Sequence, residues 1–204
     1  MNLHTQRRSI TGPVGVIECA IDAPVGTPHG VAVVCHPHPQ HGGTMDNKVV
    51  QTLARAFTQL GCTAVRFNFR GVGASAGHWA EGPGEIDDAL AVIAAWRAPD
   101  QPLVLAGFSF GAYVASNAAQ RLGSGAVERL VLVGPAASRF DMAAVPPGTL
   151  VIHGEADDVV PLAAVFDWAR PQSLPVTVVP GAGHFFHGQL PLLKSLVVGA
   201  WQPQ

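Results

Sequence analysis

An α/β fold built on a doubly wound, mostly parallel sheet without a cap domain is what this sequence predicts, and three observations predict it. Short, uninterrupted apolar runs recur, such as Gly30–Cys35 and residues 103–106, each as long as a strand covered on both faces. Between them lie segments whose apolar residues fall on helical spacing. The apolar runs empty into polar loops rich in glycine and proline, which can continue neither as strand nor as helix. Strands that alternate with helices in this way form a sheet covered on both sides.

Taken in order, residues 14–21 read as an edge strand, ended by Asp22-Ala23-Pro24. The run at 30–35 opens into His36-Pro37-His38-Pro39-Gln40-His41-Gly42-Gly43. Asp46 or Asn47 can cap the next helix, in which Val49, Val50, Leu53, Ala54 and Phe57 share a face and which Gly61 stops. A strand at 62–69 leads into Arg70-Gly71-Val72-Gly73. From Glu85 a second helix places Ile86, Ala89, Leu90, Ile93 and Trp96 on one side. Strands at 103–106, 127–133, 149–153 and 176–179 follow, with helices after Ser109, around 162–169 and near 190–199. The connection from Gly134 to Gly148 has room for a turn or one brief helix, and none for a lid. No repeat or linker divides the 204 residues, so the expectation is one domain over 1–204.

Composition narrows the function classes. Hydrophobic residues make up 48% and mean hydropathy is positive, which suits a packed core and leaves little room for disorder. The net charge is −2 and no basic run exceeds Arg7-Arg8, so a nucleic-acid partner is not expected. The first eight residues lack an apolar core, so no signal peptide is read there, and no apolar stretch is long enough to span a membrane. Cys19, Cys35 and Cys62 are an odd set in strand-like segments, read as buried reduced thiols of a cytoplasmic protein. A homodimer stays open.

The densest chemical signal is Gly107-Phe108-Ser109-Phe110-Gly111, which follows a strand and opens a helix. A serine that attacks a carbonyl must be thrust from the sheet on a sharp turn, and bulk at its flanks would block that turn. Such a serine needs a base and a carboxylate that orients the base. After the strand at 149–153, Glu155, Asp157 and Asp158 compete for the acid's place, and Asp157 is chosen because Asp158 leads straight into Val159-Val160-Pro161. After the last strand a glycine-rich turn presents His184, preferred to His187 three residues on. The order Ser109, Asp157, His184 is that of an α/β-hydrolase triad. The backbone N–H of Phe110 and that of His38 are the expected oxyanion donors, since Pro37 and Pro39 have none to offer. His36, His38 and His41 invite a metal reading, but no nearby Cys or carboxylate other than Asp46 is there to complete a coordination set. They are assigned to loop hydrogen bonds or substrate contacts, with no metal expected.

With these residues in hand, the chain resembles the small, lidless dienelactone hydrolase-like serine esterases of the α/β-hydrolase superfamily. The resemblance rests on His36-Pro37-His38-Pro39 through Lys48, Asn68 to Ser75, the Ser109 turn, the segment from His153 to Pro161, and the Gly181 to His184 turn. It implies a cofactor-free serine hydrolase acting on a small-molecule ester. Dienelactone hydrolase itself uses cysteine, so its lactone substrate does not carry over. Arg70 and Glu85 are read as scaffold residues that pair ions or fix loops. Ester and thioester substrates demand the same machinery; peptidase, lipase and a non-catalytic binding module are the other readings.

Overall fold

The computed structural model describes residues 5–201; the first four residues of the segment read for a signal peptide lie outside them. Its eight strands are β1 (Gln6–Gly12), β2 (Gly15–Asp22), β3 (Gly30–Cys35), β4 (Cys62–Phe67), β5 (Leu103–Phe108), β6 (Arg129–Val133), β7 (Leu150–Gly154) and β8 (Val176–Val179). They form one sheet in the order β1-β2-β4-β3-β5-β6-β7-β8. From β4 to β8 every pairing is parallel, while β1, β2 and β4 pair antiparallel. The helices are α1 (Lys48–Gln59), α2 (Pro83–Trp96), α3 (Phe110–Leu122), α4 (Leu162–Ala169) and α5 (Leu190–Gly199).

Period-two alternation splits the strands' side chains between two cores. Val31, Val33, Leu103, Leu105, Leu130 and Leu132 face α2 and α3 on one side. Ala32, Val34, Val104, Ala106, Val131 and Val133 face α1 and α5 on the other. A third, smaller cluster seats α4 through Val165 and Ala169. The apolar runs are continuous because both faces of these strands are buried.

The edge assignment is corrected. The strand expected at 14–21 is β2 (Gly15–Asp22), which lies inside the sheet, and the edge on this side is β1, joined to β2 by the two-residue turn Pro13-Val14. Residues 6–9 of β1 are all exposed, so Gln-Arg-Arg-Ser carries no apolar signal. Helix α2 begins two residues before Glu85, because Pro83 is pre-set for a first helical position and Glu85 reaches back to accept from the Gly82 N–H at 2.8 Å. Asn47, and not Asp46, caps α1: its Oδ1 accepts from Val49 N at 2.9 Å and Val50 N at 3.4 Å. The connection between β6 and β7 contains no helix, and no lid covers the carboxyl ends of the strands among the described residues.

This topology positions the site. β3 feeds α1 on one face and β5 feeds α3 on the other, so the loops after the adjacent strands β3 and β5 part and leave a crevice.

Candidate active site

Ser109 sits between β5 and α3 with φ 57° and ψ −117°, a left-handed conformation that a side chain other than glycine's enters only under strain. The structure over-determines it. Ser109 N donates to Val133 O at 2.9 Å, and Ser109 O accepts from Ala112 N at 3.0 Å. A Cβ on Gly107 would run into the Gly111 carbonyl, and one on Gly111 into the Cys35 carbonyl. The two glycines therefore let the turn fold back on itself and let α3 start against the end of β3.

Asp157 and His184 arrive on the loops after β7 and β8. His184 Nδ1 donates to Asp157 Oδ2 at 2.7 Å, and the Ser109 hydroxyl lies 3.0 Å from His184 Nε2. The three residues are each buried. Asp157 Oδ1 accepts from the amides of Val159 at 2.9 Å and Val160 at 2.8 Å, so the carboxylate is held from both oxygens. Burial pushes its pKa up. The hydrogen bonds from His184 and the two amides, with the nearby imidazole charge, outweigh burial and hold the group below the ordinary carboxylate range. Against a carboxylate, the His184 tautomer must be Nδ1–H, which leaves Nε2 with a lone pair for the serine proton.

The rival residues go elsewhere. Asp158 is exposed, and so is His187. Glu155 accepts from Gly181 N at 2.9 Å, which ties the loop after β7 to the one that carries His184. Phe186 is buried in the core, while Phe185 is 42% exposed and borders the cavity. That cavity, about 380 Å³, is lined by Ser109, His184, His38 and Phe110 among others. The residues of both expected oxyanion amides thus border the space beside the serine hydroxyl.

The histidines of the loop after β3 divide by burial. His36 is fully buried; its Nδ1 donates to Pro37 O at 2.6 Å and its Nε2 accepts from Phe69 N at 3.1 Å. Both ring nitrogens are occupied in one neutral tautomer, and burial drives the pKa down to about 3. His36 therefore clamps the β3 loop to the end of β4, while His38 and His41 face the cavity. Cys35 is fully buried, and burial pushes its thiol well above the ordinary range, so it has no thiolate to offer. Cys19, Cys35 and Cys62 are all free and buried. Arg70 pairs with Asp88 at 2.7 Å, and Glu85 accepts from the Ala80 and Gly82 amides: both are scaffold residues, with Asp88 the ion-pair partner.

One residue beneath the acid was not singled out by sequence. His153, at the end of β7, is buried; its Nε2 donates to Val160 O at 2.9 Å and lies 3.5 Å from Asp157 Oδ2. It braces the acid loop from below. Its place in a strand run gave it the look of a core residue.

The family model for serine aminopeptidase, S33, a group of hydrolases, matches residues 26–147, which carry the β3 loop and the Ser109 turn. The chain belongs to this α/β-hydrolase family. The S33-type chain is 31% identical over 193 residues to the uncharacterized protein RP471 of Rickettsia prowazekii, covering 86% of this chain and 79% of that one. Among solved structures it is similar to XC6422 from Xanthomonas campestris, described as an α/β serine hydrolase without a lid. There the identity is 42% and the TM-score 0.87, over 100% of this chain and 98% of that one. An α/β serine hydrolase homologue from Coxiella burnetii is 41% identical with a TM-score of 0.83, over 97% of each chain. The family member described here is thus a lidless α/β hydrolase.

Proposed function

We propose that this hydrolase cleaves small carboxylic esters through an acyl-enzyme on Ser109, with His184 as general base and acid and Asp157 as its orienting carboxylate. The observation that carries the reading is the unbroken line of hydrogen bonds from the Ser109 hydroxyl through His184 to Asp157, at 3.0 and 2.7 Å. His184 Nε2 takes the serine proton as Oγ adds to the ester carbonyl. The N–H groups of His38 and Phe110 hold the oxyanion. As the tetrahedral intermediate collapses, the bond from acyl carbon to alcohol oxygen breaks, and the imidazolium gives its proton to that oxygen. Water then repeats the sequence on the acyl-enzyme, releasing the acid and freeing Ser109.

The family description raises an aminopeptidase reading. A free α-ammonium calls for a carboxylate beside the scissile bond, and the residues lining the cavity include neither Asp nor Glu. The lining favours an ester. Replacing Ser109 by Ala is expected to abolish release of nitrophenolate from 4-nitrophenyl acetate while the circular dichroism spectrum and Tm stay native. Undiminished turnover by a folded S109A protein would overturn the assignment.

A further inference from the structure

The polar groups around the cavity are unevenly matched. Of the backbone carbonyls that its lining residues bring, at least six are already engaged, Asn47 O by the Gln51 amide and Ser109 O by the Ala112 amide among them. Pro37 O accepts from His36, Val160 O from His153, His38 O from the His41 and Gly43 amides, and Ala136 O from the Arg139 and Phe140 amides. Side chains supply donors instead. Asn47 spends its Oδ1 on the amides that start α1, which leaves its Nδ2 group as a donor. His38 Nδ1 accepts from Gln40 N at 3.2 Å, so the neutral ring carries its proton on Nε2. Arg139 is exposed at the rim and makes no ion pair among the described residues. The nearby Asp141 borders a neighbouring hollow together with Asp167, and Asp158 is exposed to solvent.

Arg139, Asn47 and His38, which bring a guanidinium, an amide NH₂ and an imidazole N–H, line one 380 Å³ space among whose lining residues there is neither Asp nor Glu. Such a set of donors recognises an acceptor-only, negatively charged group, and a planar guanidinium fits a carboxylate with two parallel bonds. We propose that the substrate is an ester that bears a free carboxylate some atoms away from the scissile carbonyl, and that Arg139 binds that carboxylate. The inference rests on the reading of Ser109 as the nucleophile, and it adds a charge requirement which that reading lacks. It also separates this site from those that take purely hydrocarbon acyl chains.

The test compares the mono-4-nitrophenyl ester of adipic acid with its methyl ester, in which the second carboxyl is uncharged. In the unaltered protein at low ionic strength, kcat/KM for the anion is expected to exceed that for the methyl ester by about tenfold, the span of one charge-assisted contact. Arg139→Gln should lower that ratio at least about fivefold, mainly through KM, and Arg139→Lys should keep part of it. Arg8→Gln, on the distant edge strand, should leave the ratio where it was. A native ratio near one, or a ratio untouched by Arg139→Gln, would overturn the proposal. Free adipate and inorganic phosphate as inhibitors of the methyl ester's hydrolysis identify the anion. Competition by adipate supports a carboxylate, whereas competition by phosphate alone would replace it with a phosphoryl group. The two readings fail differently: if neither ester turns over, or S109A still cleaves both, the nucleophile assignment falls. If both are cleaved through Ser109 at equal efficiency, only the carboxylate falls.

Discussion

Asp157 receives three hydrogen bonds on two oxygens, and these hold its carboxyl below the ordinary carboxylate range. Replacing it by Asn removes the charge that balances the His184 imidazolium and lets an NH₂ group face Nδ1. We expect kcat on a 4-nitrophenyl ester to fall by about 10³–10⁴, the scale of the same change in the serine-protease triad, with the fold retained. His36 yields a prediction of another kind. Its folded pKa of about 3 lies below its ordinary value of 6.5. Between those limits the unfolded chain binds a proton that the folded chain refuses. The stability that depends on a neutral His36 is therefore full above pH 6.5 and declines as pH falls toward 3. By pH 5 the loss from this residue is about 2 kcal/mol, at 1.36 kcal/mol per pH unit. Buried His153 acts in the same direction. Urea titrations at pH 7.5 and pH 5 read the difference, and His36→Asn should flatten it.

At the scale of elements, α2 is fastened to the end of β4 by one buried ion pair. Arg70 is 8% exposed and Asp88 is fully buried, and Asp88 also accepts from the Arg70 amide at 3.0 Å. Asp88→Ala strands a guanidinium inside the protein, for which a loss of about 3–5 kcal/mol is expected. A Tm that moves by only a degree or two would contradict this account. Elements with continuous or strictly periodic burial are the most legible in the sequence: the two-sided runs of β3 and β5 and the one apolar face of α1 lie where their spacing puts them. β1 was not legible. It is an exposed edge, its alternation is erased by Arg7, Arg8 and Ser9, and backbone pairing with β2 is what makes it a strand. The start of α2 lies two residues before Glu85 because its first turn depends on a proline and on a glutamate reaching backwards, while apolar periodicity begins only at Ile86.

In the molecule as a whole, the candidate site draws on loops after β3, β5, β6, β7 and β8, at the carboxyl ends of the strands. With no lid over it among the described residues, the cavity of about 380 Å³ leaves a long acyl tail open to water. For uncharged 4-nitrophenyl esters, kcat/KM is therefore expected to fall by about tenfold or more from butyrate to palmitate. A palmitate preference would mean that apolar surface is recruited from elsewhere.

The sequence by itself determined the alternation of strand and helix, the glycine-flanked serine turn and the identities of a serine, an acid and a histidine in hydrolase order. Those are local properties, written in periodicity and in residues whose backbone demands are specific. Tertiary structure alone decided that His36 clamps a loop while His38 faces a cavity, that Asp157 is buried and Asp158 is not, and that Arg139, with no ion pair among the described residues, borders the same cavity as Ser109. Such differences arise from which loops converge at the strand ends, and from the desolvation and hydrogen-bond partners that convergence imposes on neighbouring residues of like chemistry.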